Sequence, residues 1–262
     1  MKLEILSEKP SQLLHPTPIL FIHGMWHGAW CWAEHFLPYF ATHGYAAYAM
    51  SLRGHGSSEG RERLRWTSLA DYVADVTQII NELEKTPVLI GHSMGGMIVQ
   101  EYLESHQTPA AVLLASAPPK GLGAATLRIA RRHPLVVLKT IFTLSPYQNI
   151  STPTLCREMF FSPDISIQEL NRWFALVQEE SYRAYLDMMF LNLPKPRLVK
   201  TPILVIGADK DAAILKREVE STARAYGTKA EIFSGMTHDM MLEAKWQSVA
   251  DHILSWLGEH AL

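Results

Sequence analysis

The segment "PVLIGHSMGGMIVQ" ends an apolar run with Gly91-His92-Ser93-Met94-Gly95, setting one serine between glycines. A serine hydroxyl attacks a carbonyl carbon only when a base takes its proton, and the base needs a carboxylate to orient it. G-x-S-x-G is the pattern of a nucleophile elbow, a sharp and strained strand-to-helix turn that lifts the serine Oγ clear of the sheet. Side chains in place of Gly91 or Gly95 would collide with neighbouring backbone. A helix starting at Met94 aims its N-terminus at the site and favours negative charge there. Downstream, "ILVIGADKDAAI" carries Asp209 and Asp211 just beyond an apolar run, and "GMTHDMMLE" carries His238 beyond the next one. Serine, aspartate and histidine in this order at strand ends make a nucleophile, acid and base for acyl transfer. Either aspartate could serve.

These residues need a scaffold that brings strand ends together. The runs 18–24, 45–52, 87–91, 110–116, 202–208 and 230–235 read as strands, most of them wholly apolar, as in a parallel sheet buried on both faces. Between them, Cys31–Thr42, Ser68–Glu84, Met94–His106, Leu215–Tyr226 and Lys245–Gly258 read as helices. Such alternation predicts an α/β fold, a mostly parallel central sheet flanked by helices. "LEILSE" near the start fits an antiparallel edge strand. The alternation stops between residues 120 and 196, where "SIQELNRWFALVQEESYRAYLDMMF" has helical spacing of Leu170, Trp173, Phe174, Val177, Tyr185, Leu186 and Met189. That stretch is expected to be a helical cap over the C-terminal edge of the sheet, inserted into a core made of 1–119 and 197–262. Most of its apolar residues should pack it onto the core, with a few facing a cavity.

Composition narrows the function classes. Hydrophobic residues make up 48% and charged residues 19%, as in a compact globular chain, and a net charge of −2 shows no basic surplus for nucleic acid. Cys31 and Cys156 have neither C-x-x-C nor zinc-ligand spacing, so two buried thiols are expected. "MKLEILSEKPSQ" lacks the apolar core of a signal peptide, and no run approaches the roughly 20 apolar residues of a membrane helix. These features point to a soluble, cytoplasmic protein without a membrane span.

"FIHGMWHGAW", "LRGHGSS", "GHSMGG", "VIGADKDAAI" and "GMTHDMMLE" together make nearly the whole chain resemble the α/β-hydrolase superfamily, in its serine-nucleophile esterase and lipase branch. By that resemblance the triad is Ser93, Asp211 and His238, because the acid in relatives lies three or four residues past the glycine ending its strand, here Gly207. The resemblance also implies that the backbone amides of Met25, after His-Gly, and of Met94 hold the oxyanion, with the Trp26 ring shaping the pocket wall. Each such donor is worth on the order of 10²–10³ in rate. Asp209 then caps its loop, and Asp239 beside His238 is expected to be a loop hydrogen-bonder. His92 packs under the elbow, and Arg53 to Gly56 turn the chain, leaving His55 outside the chemistry. "HGMWHGAWCW" is similar to the opening of plant methylesterases and hydroxynitrile lyases, but Met25 departs from the threonine of the lyases. Ser51 stands where the superfamily usually has aspartate. Trp30 and Trp32 are expected behind the site as core residues.

The resemblance implies hydrolysis of carboxylic esters with an apolar acyl or aryl group, through an acyl-enzyme on Ser93 and with no metal or organic cofactor. Carbon–carbon, lactone or amide hydrolysis, acyl transfer and perhydrolysis use the same triad, and a small-molecule receptor on this fold is the alternative of another class.

Overall fold

The computed structural model describes residues 1–262. Seven strands form one sheet in the order β1-β3-β2-β4-β5-β6-β7: β1 Glu4–Glu8, β2 Ile19–Ile22, β3 Ala47–Ser51, β4 Val88–His92, β5 Ala111–Leu114, β6 Ile203–Ala208 and β7 Ala230–Phe233. Only β1 is antiparallel, pairing Glu4 with Ser51 and Glu8 with Ala47. Every residue of β2, β4, β5 and β6 is buried, which is why these strands read as unbroken apolar runs. The edge strand β7 is half-exposed.

Helices α1 Trp30–Ala33, α2 Phe36–Thr42, α3 Leu69–Glu82 and α4 Met94–Tyr102 connect the first strands. Between β5 and β6 the chain has helices and no strand: α5 Gly123–Arg132, α6 Pro134–Thr143, α7 Pro153–Phe160, α8 Ile167–Phe174 and α9 Tyr182–Leu186. Helices α10 Lys216–Ala225 and α11 Trp246–Glu259 complete the fold. Helix α3 starts where a capping box predicts: Ser68 Oγ accepts from the Asp71 N–H and the Asp71 carboxylate accepts from the Ser68 N–H. Its Leu69, Tyr72, Val76, Ile79 and Ile80 line one buried face.

The single helix expected over Cys31–Thr42 is instead two, α1 and α2, broken around Glu34 and His35. Pro38 explains the break, since its ring would clash with the carbonyl of Glu34 in a continuous helix; restarting at Phe36 places it in a first turn. Cys31 and Cys156 are buried and unbonded, and burial raises both thiols, that of Cys156 to about 12. No helix is long and apolar enough to cross a membrane.

The helical insertion is seated on the core through polar as well as apolar contacts. Leu170, Trp173 and Val177 are buried in the common hydrophobic core. Asp187 accepts from the Leu69 N–H at 3.0 Å, and Ser181 Oγ donates to the Thr67 carbonyl at 2.5 Å. Trp32 lies fully in the core, whereas Trp30 is half-buried and stacks on Trp173 of α8, with ring centroids 5.9 Å apart.

Candidate active site

Ser93 stands between β4 and α4 with φ 52° and ψ −115°, a conformation L-residues rarely adopt. The elbow has no room for side chains on its flanks. A Cβ on Gly95 would come within 2.6 Å of the His23 carbonyl oxygen, and one on Gly91 within 2.6 Å of the Gly95 carbonyl carbon. The Gly24 backbone also presses on Ser93, since a Cβ there would lie 2.9 Å from Ser93 Cβ. The turn after β2 is thereby set directly against Ser93.

His238, in the loop between β7 and α11, is 2% exposed and its Nδ1 donates to Asp211 Oδ2 at 2.8 Å. Asp211 Oδ1 accepts from the backbone N–H groups of Ala213 and Ile214, so the loop after β6 fixes this carboxylate before it meets the imidazole. Burial disfavours the imidazolium of His238, but the Asp211 carboxylate outweighs it and raises the pKa above the ordinary value. Asp209 takes a different part. It is solvent-exposed and accepts from the Gly235 N–H at 2.7 Å and Ser234 Oγ at 3.1 Å, tying the ends of β6 and β7 together.

Three further histidines surround this dyad. His92 Nε2 donates to the His238 carbonyl at 3.1 Å, and the two rings lie 4.7 Å apart. Its pKa is lowered to about 3, first by burial and then by the neighbouring His238. His23 donates through Nδ1 to the Gly24 carbonyl and accepts the Leu52 N–H on Nε2; burial holds its pKa well below the ordinary value. His27 donates through Nδ1 to the Met25 carbonyl at 2.7 Å and through Nε2 to Asp239 at 2.9 Å. Asp239 therefore does bond within the loops, but its partner comes from the opposite end of the chain. Ser51, where relatives are expected to carry aspartate, accepts the Ala29 N–H at 2.8 Å and donates to the Glu4 carboxylate of β1.

The donor amides named by resemblance are placed as follows. Met94 is the first residue of α4, where a backbone N–H has no intrahelical partner. Met25 lies in the turn beside Ser93. The next amide, Trp26 N–H, is already engaged by Glu180 at 3.3 Å. Phe160 stacks on His238 with ring centroids 6.1 Å apart and lies tilted against Trp26 at 5.7 Å, so α7 supplies an apolar wall. His92, His238 and Asp239 place potential metal-ligand atoms within 4.8 Å of one another, with His92 Nε2 and His238 Nδ1 engaged as hydrogen-bond donors.

Glu180 went unnoticed in the sequence. It sits in "VQEESY", which reads as a solvated charge run, yet it is 2% exposed and bonded to His55 and Tyr72.

The alpha/beta hydrolase family profile matches residues 19–252. The chain belongs to the alpha/beta hydrolase family. A monoacylglycerol lipase of Mycolicibacterium smegmatis is 23% identical over 244 residues, covering 87% of this chain and 83% of the relative. A non-heme chloroperoxidase of Streptomyces lividans is 35% identical over 106 residues, 39% of this chain and 37% of that one. The crystal structure of a Paleococcus ferrophilus monoacylglycerol lipase superposes with a TM-score of 0.74 at 22% identity, covering 99% of this alpha/beta hydrolase and 100% of the other chain.

Proposed function

We propose that this alpha/beta hydrolase is a serine esterase that cleaves carboxylic esters with an apolar acyl or aryl group. The observation that carries the reading is the combination at one sheet edge of Ser93 in a strained elbow and a buried His238–Asp211 pair. Ser93 Oγ attacks the ester carbonyl, its proton passes to His238 Nε2, and the carbonyl oxygen becomes an oxyanion held by the Met25 and Met94 amides. Collapse breaks the acyl C–O bond, His238 protonates the departing alkoxide, and the acyl group stays on Ser93. Water, deprotonated by His238, then attacks the acyl carbon and releases the acid with regeneration of the serine. Asp211 orients the imidazole and stabilises its charged form. The insertion 120–196 acts as the cap, with Phe160 and Trp26 forming apolar wall beside the dyad, the lining expected of a pocket for an acyl chain or ring. The lipases among the relatives agree with this substrate class.

The test is hydrolysis of p-nitrophenyl esters from acetate to palmitate by wild type and single variants. Ser93→Ala is expected to lower kcat by about 10⁶, and Asp211→Asn by about 10⁴. Asp209→Asn should change kcat less than about threefold, since it removes only a loop contact. Turnover that survives Ser93→Ala, or none on any ester, would sink the esterase reading. The chloroperoxidase relative gives reason to repeat the assay with hydrogen peroxide, which can replace water as the second nucleophile.

A further inference from the structure

The turn carrying Met25 is held more firmly than a surface loop requires. The His27 N–H donates to the Gly24 carbonyl at 3.4 Å, closing the turn Gly24–His27, and Trp26 at its third position has φ 67°. A left-handed third residue is the mark of a type II turn, a place normally filled by glycine or asparagine. Tryptophan there is strained. Rotating the Met25–Trp26 peptide would give a type I turn, which most side chains accept, so the observed form persists only because its surroundings over-determine it.

Both polar ends of that one peptide are gripped. The Met25 carbonyl accepts from His27 Nδ1 at 2.7 Å, and the same ring donates through Nε2 to Asp239 Oδ2 at 2.9 Å. Carbonyl and carboxylate oxygens only accept, so both ring nitrogens act as donors. The Trp26 N–H donates to Glu180 Oε2 at 3.3 Å. Glu180 in turn accepts from His55 Nε2 at 3.1 Å, the Tyr72 hydroxyl at 2.7 Å and the Ser181 N–H at 2.6 Å. The Trp26 carbonyl accepts the Gln178 N–H at 2.9 Å. His27, His55, Glu180 and Asp239 are all buried, so water cannot stand in for any of these partners.

We propose that His27, Asp239 and Glu180 are positioning residues that hold the Met25–Trp26 peptide, and with it the whole Gly24–His27 turn, in place, so that the preceding Gly24–Met25 peptide keeps the Met25 N–H toward the oxyanion beside Ser93. This rests on the reading of Met25 as an oxyanion donor; none of the three touches substrate. Asp239 follows His238 in the chain, so the loop of the base and the turn of the oxyanion donor move as one. Glu180 belongs to the helical insertion, so the turn is complete only when that insertion is seated.

The experiment is a double-mutant cycle. Asp239→Asn and Glu180→Gln are each made in wild type and in a Trp26→Gly background, because glycine takes a left-handed φ without help. On the best p-nitrophenyl ester, each single variant is expected to lose about 10- to 100-fold in kcat with KM changed less than about threefold. The Ki of a trifluoromethyl ketone, which forms a tetrahedral oxyanion on the serine, should rise in parallel. In the Trp26→Gly background the same substitutions should cost about threefold or less. Equal losses in both backgrounds, or an unchanged kcat, would overturn the proposal. So would a shifted acid limb of the kcat/KM profile with unchanged Ki, because Asp239 would then act through the charge of His238. Thermal melts report folding; if one carboxamide variant fails to fold, the other and His27→Phe decide. Loss of clamp effects with Ser93-dependent turnover intact rejects the clamp alone, whereas turnover that survives Ser93→Ala rejects the esterase reading beneath it.

Discussion

Asp209 and Asp211 end the same strand and have the same chemistry, yet their neighbours separate them completely. Asp211 is buried, anchored by two backbone amides and bonded to His238, while Asp209 is exposed and ties the ends of β6 and β7 together. The consequence for activity can be given a sign. In the proposed mechanism His238 must be neutral to accept the serine proton, and the Asp211 carboxylate raises its pKa above the ordinary value of about 6.5. Activity should therefore fall as pH drops through a midpoint above that value. Asp211→Asn removes the charge that favours the imidazolium while burial remains, so the midpoint should move to lower pH along with the loss of kcat. A kcat/KM profile from pH 5 to 9 checks both statements; a midpoint that stays put in the variant would mean that another group controls the limb.

The elbow shows how an element can be built around one backbone conformation. Strand β4 delivers Ser93, helix α4 removes the chain, and Gly91 and Gly95 allow the two to approach where any Cβ would strike main-chain atoms. Gly95→Ala should destabilise the fold by about 3 kcal/mol, because the clash is with backbone that cannot step aside. Gly258→Ala, in α11 with nothing within 4 Å of the added methyl, should be neutral or stabilising by up to about 1 kcal/mol. Urea midpoints of the two variants measure the contrast. Comparable effects of both substitutions would show that helix propensity, rather than close approach, governs the elbow glycines.

Taken whole, the molecule joins its helical insertion to its core through a buried carboxylate as well as through apolar packing. Burial works against the charge of Glu180, but His55 and the surrounding donors prevail and hold its pKa below the ordinary value. Asp239 is likewise buried and held low, chiefly by His27. A depressed carboxylate contributes stability that is fully present above its unfolded pKa and is lost as pH falls through the folded one. Stability should therefore be flat from neutrality down to about pH 4 as far as these two groups are concerned, and should decline below it. Glu180→Gln should be less stable at pH 7, with a shallower decline on acidification. Urea midpoints at pH 7, 5 and 3.5 test this; an acid decline of equal depth in wild type and variant would show that Glu180 has no part in it.

The sheet and the elbow were legible in the linear chain because their signals are local. Buried parallel strands must be apolar along their length, and a serine on a turn between strand and helix needs glycines on both sides. Loop partnerships leave no such trace. Asp239 reads only as a loop hydrogen-bonder and Glu180 as one charge in a solvated run, and nothing in the neighbours of either, or of His27, marks them as buried. Their roles depend on three loops and an inserted helical segment converging on one turn. The split of the first helix was within reach, because Pro38 carries its own steric signal. Which aspartate meets His238 was legible only through the family resemblance, which points to Asp211 by its distance past Gly207. By residue chemistry alone the two side chains differ only in how the loop after β6 turns, and that turn is set by packing against elements far away in the chain.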